Sequence, residues 1–183
     1  MVASVEDRHG VVQRAIGAAL LQVDVYEEVE ADGNATGQAA IVVLAVALAS
    51  ALASYNAGTG AIIGGVISAF LNWAIFAGMT MFIGTRVFGG AADWGELLRT
   101  LGFAQAPGAL IILRVIPVLG PLVAFIVGIW TLVAAIVAIR QALDFTTSRA
   151  ILTAISAVIV IVLVSMVIGV MTGISMGIMS AIL

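Results

Sequence analysis

An all-α fold, a five-helix transmembrane bundle with a short amphipathic N-terminal cytoplasmic segment, is what this sequence predicts, on three observations. Hydrophobic residues make up 63% of the 183 and charged residues only 9%, against about a quarter charged in an ordinary soluble domain. The mean hydropathy is +1.25. The apolar residues fall in runs near the ~20 that a helix needs to cross a ~30 Å hydrocarbon layer, where it keeps its backbone hydrogen bonds internal. Turn signals and charges lie between those runs.

Residues 1–37 form the N-terminal segment and 38–183 the membrane domain. The first part carries most of the acidic residues, and its short apolar run, Ala15 to Leu21, is interrupted upstream by Arg14. That run is too short for the core of a cleaved signal peptide and has no convincing cleavage site. Val12, Ile16, Ala19, Leu20 and Val23 recur at helical spacing, as do Tyr26 and Val29 beside Glu27, Glu28 and Glu30. One or two helices lying along the headgroups, or docked under the bundle, are expected here, ended by Gly33.

The first span is expected over 38–55 and the second over 61–83, where Gly60, Gly64, Ser68 and Asn72 recur every four residues. Small residues at that interval let two helices approach closely. Arg86, Gly89, Gly90 and Asp93 then leave the membrane, and Asp93 with Glu96 reads as a capping pair opening a third span, 95–116. Arg99, Thr100, Gln105 and Pro107 make it the least lipid-like of the five. Pro117 and Pro121 bracket the next turn, before a fourth span over 121–141 with Gly128 as a contact position. The fifth, 149–175, belongs to a helix longer than a bilayer needs. In it Ser165, Gly169, Gly173 and Gly177 form a small-residue stripe. We expect the membrane-depth members to pack inside the bundle and Gly173 and Gly177 to meet a partner or a second copy.

With five spans, six of the seven arginines fall on the N-terminal side and only Arg114 on the other. The excess of positive charge in cytoplasmic loops places the N-terminus in the cytoplasm and the C-terminus outside, in a multi-pass protein of the cell membrane.

The chain has no cysteine and one histidine, His9, which excludes disulfide and thiol chemistry. No HExxH, GxSxG or P-loop pattern occurs, so neither catalysis, a metal nor a cofactor is expected, and no nucleic-acid partner. The acidic run around Glu28 reads as a solvated face and His9 as a surface residue. Asn72 and Gln105 fall near mid-span, where an unpaired amide costs several kcal/mol. They are expected to face each other, as a structural hydrogen bond or as part of a polar path or lipid-headgroup groove. Arg99 is close enough to the surface to snorkel and pair with Glu96, the other reading being a phosphate site beside Arg86.

The segment GELLRTLGFAQAPGALIILRVIPVLGPLVAFIVGIW, followed by IRQALDFTTSRAIL, resembles the membrane domain of the Yip family of Rab-interacting-protein-like five-span proteins, the prokaryotic members above all. The resemblance runs from about Val25 to Val170. Its most specific parts are Gly102-Phe103-Ala104 leading to Pro107, Ile116 to Gly120, and Thr147 to Ala150. It implies the five-span topology. Eukaryotic members act in membrane trafficking with Rab-type GTPases through a long N-terminal region that this chain lacks, so that partner is not implied. A non-enzymatic scaffold or adaptor in membrane organisation is the expectation, with the lipid bilayer, other membrane proteins or a second copy as partners. A transporter, channel or lipid-moving protein using Asn72, Gln105 and Arg99 is the alternative.

Overall fold

The computed structural model describes residues 10–54, 58–116 and 118–182, with side chains described as far as residue 170 except at 168. Among the described residues there is no strand, and five helical segments are long and apolar enough to cross a membrane. His9 lies outside the described residues.

Two short helices precede the spans, α1 (Val11–Ala19) and α2 (Val23–Ala31). They form a hairpin whose turn places Leu21 at φ 62. Gln22 N–H reaches back to the Gly17 carbonyl at 3.0 Å, the closing bond of a left-handed helix cap that usually carries glycine. Gly17 is required by the close approach that follows: a Cβ there would lie 2.6 Å from Val25 Cγ2.

The hairpin is built into the bundle. Val25, Tyr26 and Val29 are buried with Ala39, Val43, Leu97, Leu101, Phe103, Ala138 and Ile139 in one core. The opposite face of α1 exposes Val12, Ile16 and Leu20, an apolar stripe suited to lipid.

The spans are α3 (Ala35–Ala53), α4 (Thr59–Arg86), a third of two parts, α6 (Gly120–Ala142) and α7 (Thr147–Ile182). The third span is expected as one α-helix but is instead α5 (Trp94–Phe103) followed by a 3₁₀ helix, Ala106–Val115. Pro107 supplies the reason: its ring would clash with the carbonyl four residues back, that of Phe103, where α5 stops. A 3₁₀ helix rises ~2.0 Å per residue against ~1.5 Å, so the change also lengthens a short span. This third span is also the most enclosed, with half of its most apolar 18-residue stretch buried against 22–28% of the corresponding stretches in the other four.

Asp93 and Glu96 open α5 with reciprocal caps, Asp93 N–H to Glu96 Oε2 at 2.7 Å and Glu96 N–H to Asp93 Oδ1 at 2.8 Å. Between α6 and α7, Asp144 takes φ 52 and Phe145 N–H returns to the Arg140 carbonyl at 2.9 Å. The long α7 buries Ala150, Thr153, Ala154 and Ala157 in its first three turns.

Candidate functional site

The strongest polar constellation binds the hairpin to the spans. Arg14 is fully buried, and a guanidinium can enter such a site only with its donors occupied. Its Nε and Nη2 donate to Glu28 Oε1 at 3.0 and 2.7 Å, and Nη1 donates to Gln38 Oε1 at 3.0 Å. Asp32 Oδ2 lies 3.0 Å from Nη2. One side chain therefore ties α1 to α2, to the loop after it and to the first turn of α3.

Two further side chains, both from spans, cap the free carbonyl ends of the hairpin helices. Trp130 Nε1 donates to the Ala19 carbonyl at the end of α1, at 2.7 Å. Arg99 donates through Nε to the Val29 carbonyl at 3.0 Å and through Nη2 to the Glu30 carbonyl at 2.5 Å. A cation at a helix C-terminus meets both the unpaired carbonyls and the negative end of the helix dipole. Arg99 is thus occupied at the end of α2 and does not snorkel to pair with Glu96, whose carboxylate caps Asp93. Tyr26, also fully buried, donates to the Ala18 carbonyl at 3.0 Å, and burial pushes its hydroxyl pKa up.

Around this lock the charges are mostly negative. Burial, then the carboxylates of Glu96, Asp144 and Glu27, push Glu30 up to about 7 against the opposing pull of Arg99. Arg86 ends α4 and is exposed, with no hydrogen bond or ion pair among the described residues. Since Arg99 is turned into α2, the two arginines do not form a phosphate site.

Asn72 and Gln105 line the same crevice between α3, α4 and the third span, but they are not hydrogen-bonded to each other. Asn72 Nδ2 donates to the Ser68 carbonyl of its own helix at 2.9 Å. An adjoining cavity, also lined by both amides, reaches Thr131, whose Oγ1 is buried without a protein partner among the described residues.

The small-residue positions fall elsewhere than the packing contacts. A Cβ added at Gly64, Gly128 or Gly169 would meet nothing within 4 Å, and Ser68 and Ser165 are exposed. An added Cβ at the three glycines thus finds no close contact among the described residues, while Ser68 lines the crevice that α4 shares with α3. Gly173 and Gly177 lie in α7 beyond the described side chains. The close contacts are made by glycines outside the four-residue stripes: a Cβ at Gly102 would lie 2.7 Å from Ala39 Cβ, and one at Gly84 would lie 2.5 Å from Leu143 Cδ1.

Sequence reasoning missed Arg14 and Trp130 as parts of the lock. The available signal was an arginine beside an apolar helical face with two acidic side chains 14 and 18 residues on, too distant in sequence to be read as a pair.

The family model for the Yip1 domain matches residues 22–169 of the chain. No curated protein and no solved structure matches it.

Proposed function

We propose, starting from the chain's membership of the Yip1 domain family, that it is a non-catalytic scaffold or adaptor of the membrane, gathering other membrane proteins or further copies of itself. The observation that supports this is the uneven construction of the bundle. Arg14, Arg99 and Trp130 tie the hairpin to the spans, while an added Cβ at Gly64 or Gly128 would meet nothing. Helices in lipid associate chiefly by close packing, and small residues allow it. In this reading the hairpin end lies in the cytoplasm, following the arginine asymmetry.

Crosslinking of the full chain in its own membrane tests the proposal. Complexes should form in the parent and be lost in Gly64→Ile or Gly128→Ile, with protease protection of the hairpin unchanged. A parent that stays monomeric and uncrosslinked, or variants that crosslink as the parent does, would overturn it. Orientation is tested separately: a cysteine replacing Asp144 should resist an impermeant maleimide in intact cells.

A second reading, movement of a solute or a lipid, is favoured by Asn72 and Gln105 sharing one crevice at membrane depth. Solute flux or lipid scrambling in liposomes above that of empty vesicles would establish it.

A further inference from the structure

The crevice between α3, α4 and the third span has a chemistry that restricts what it can hold. Its larger lobe, about 490 Å³, is lined by Ser50, Ser54, Ser68, Asn72 and Gln105 among apolar residues. The smaller lobe, about 290 Å³, shares Asn72 and Gln105 and is closed by Thr131. Among the described residues no charged one lines either lobe.

Three of these groups have unused hydrogen-bonding capacity. Thr131 Oγ1 is buried with no protein partner among the described residues. The Gln105 side chain makes no hydrogen bond among the described residues, and the Asn72 amide uses one donor on Ser68 and leaves its carbonyl oxygen open. At membrane depth an unpaired polar group costs several kcal/mol, and lipid tails cannot satisfy it. A few hydroxyls and amides with no charged side chain beside them cannot neutralise an ion at membrane depth, whereas they match the donors and acceptors of an uncharged polyol.

We propose that this crevice binds a neutral, hydroxyl-rich group, a sugar or glycerol unit, which donates to and accepts from Asn72, Gln105 and Thr131. The volume suits such a unit, since small-molecule sites run from about 300 Å³ upward. The unit arrives either as the headgroup of an uncharged lipid entering between α3 and α4, or as a free polyol. Both present the same hydroxyls.

The full chain, reconstituted in phosphatidylcholine vesicles, is illuminated with a photoreactive glucosyl diacylglycerol, with a photoreactive water-soluble glucose derivative, or with a photoreactive phosphatidic acid, an anionic lipid without a polyol headgroup. Labelled peptides are then located by mass spectrometry. Labelling of the crevice by either neutral probe is expected, and which of the two labels identifies the source. Gln105→Leu and Thr131→Val should each reduce it by about fivefold, the loss of one hydrogen bond of ~1 kcal/mol. Thr131→Ser keeps the hydroxyl and should retain labelling, and an unchanged unfolding temperature in each variant separates binding from misfolding. Equal labelling by the anionic lipid, equal labelling of the Leu and Val variants, or no labelling by either neutral probe overturns the proposal, the last outcome leaving a crevice filled by water alone.

Discussion

The two ends of α4 share a helix and a composition but not a fate. Toward its start, a Cβ at Gly60, Gly64 or Gly65 would meet nothing within 4 Å; toward its end, one at Gly78 would strike the Trp94 ring and one at Gly84 would strike Leu143. The helix's buried residues, Trp73, Ala77, Thr80, Ile83 and Gly84, all lie in its second half. A similar weighting holds in α6, which buries Ala134, Ala138, Ile139 and Ala142 near its end against Gly120 and Val127 before them, and in α7, which buries Ala150, Ala154 and Ala157 near its start. Small residues permit close packing but do not summon a neighbour. The neighbour comes at the hairpin end, where α1, α2 and α5 pack among the spans, whereas at the start of α4 nothing meets Gly60, Gly64 or Gly65 and the Asn72 crevice lies alongside.

The largest blow to this contrast should come from Arg14→Ala. It removes the guanidinium that Glu28 and Asp32 face, and breaking one side of a buried ion pair typically costs ~3 kcal/mol or more. Proteolysis should then cut the hairpin while the far end of α6 remains protected. A hairpin as resistant as the parent's would mean that apolar burial alone holds it. Next in size is Gly102→Val, which forces two methyl groups toward Ala39 and Trp73. Overpacking of this kind costs ~2 kcal/mol, whereas Gly65→Ala in open space should be neutral or gain up to ~1 kcal/mol of helix propensity. Unfolding in bilayers compares the pair, and equal effects would erase the distinction between the packed hairpin end, where Gly102 sits in α5, and the open start of α4.

These residues also show what could be read before the structure. The spans were legible because twenty apolar residues in a row state their own environment, and the Asp93–Glu96 cap because its partners sit three residues apart. Pro107 was visible, yet its consequence, a ten-residue 3₁₀ helix, depends on how much length the span must cover. Arg99 was visible as a polar intruder. Its partners, the carbonyls of Val29 and Glu30 about seventy residues earlier, are backbone groups with no sequence signature. The small residues at Gly64 and Gly128 were visible too, but spacing along one helix carries no information about where the next helix stands, and an added Cβ at either meets nothing.

Arg99→Met tests the capping more gently, since it keeps an apolar stem and removes the donors. Hydrogen bonds from a charged group contribute about 1.5 kcal/mol or more, so amide exchange in the last turn of α2 should quicken about tenfold. Arg99→Lys should fall between the two, because one ammonium cannot reproduce the fork that spans two carbonyls. Unchanged exchange in Arg99→Met would remove Arg99 from the lock.

The smallest effect should come from pH, through Glu30. Its carboxyl is raised from the ordinary 4.5 to about 7 in the folded chain, by burial first and then by Glu96, Asp144 and Glu27, with Arg99 acting against them. A raised carboxyl means that the docked hairpin holds a proton that the undocked hairpin would release. Between about pH 4.5 and 7 the undocked form therefore binds fewer protons, and docking weakens as pH rises. Below that window both forms are protonated and the contribution is fully present; above it both are ionised and the loss is complete. Because Glu30 is only half-buried, solvent screening keeps the change modest. Exchange of the Val25–Val29 amides, corrected for its intrinsic pH dependence, should show opening that becomes easier from pH 5 to 7 and levels off by pH 8. Glu30→Gln carries no proton to lose and should flatten that profile. A slope that persists in Glu30→Gln would assign the pH response to the other carboxylates, and a slope of opposite sign in the parent would show that Arg99 outweighs burial at this position.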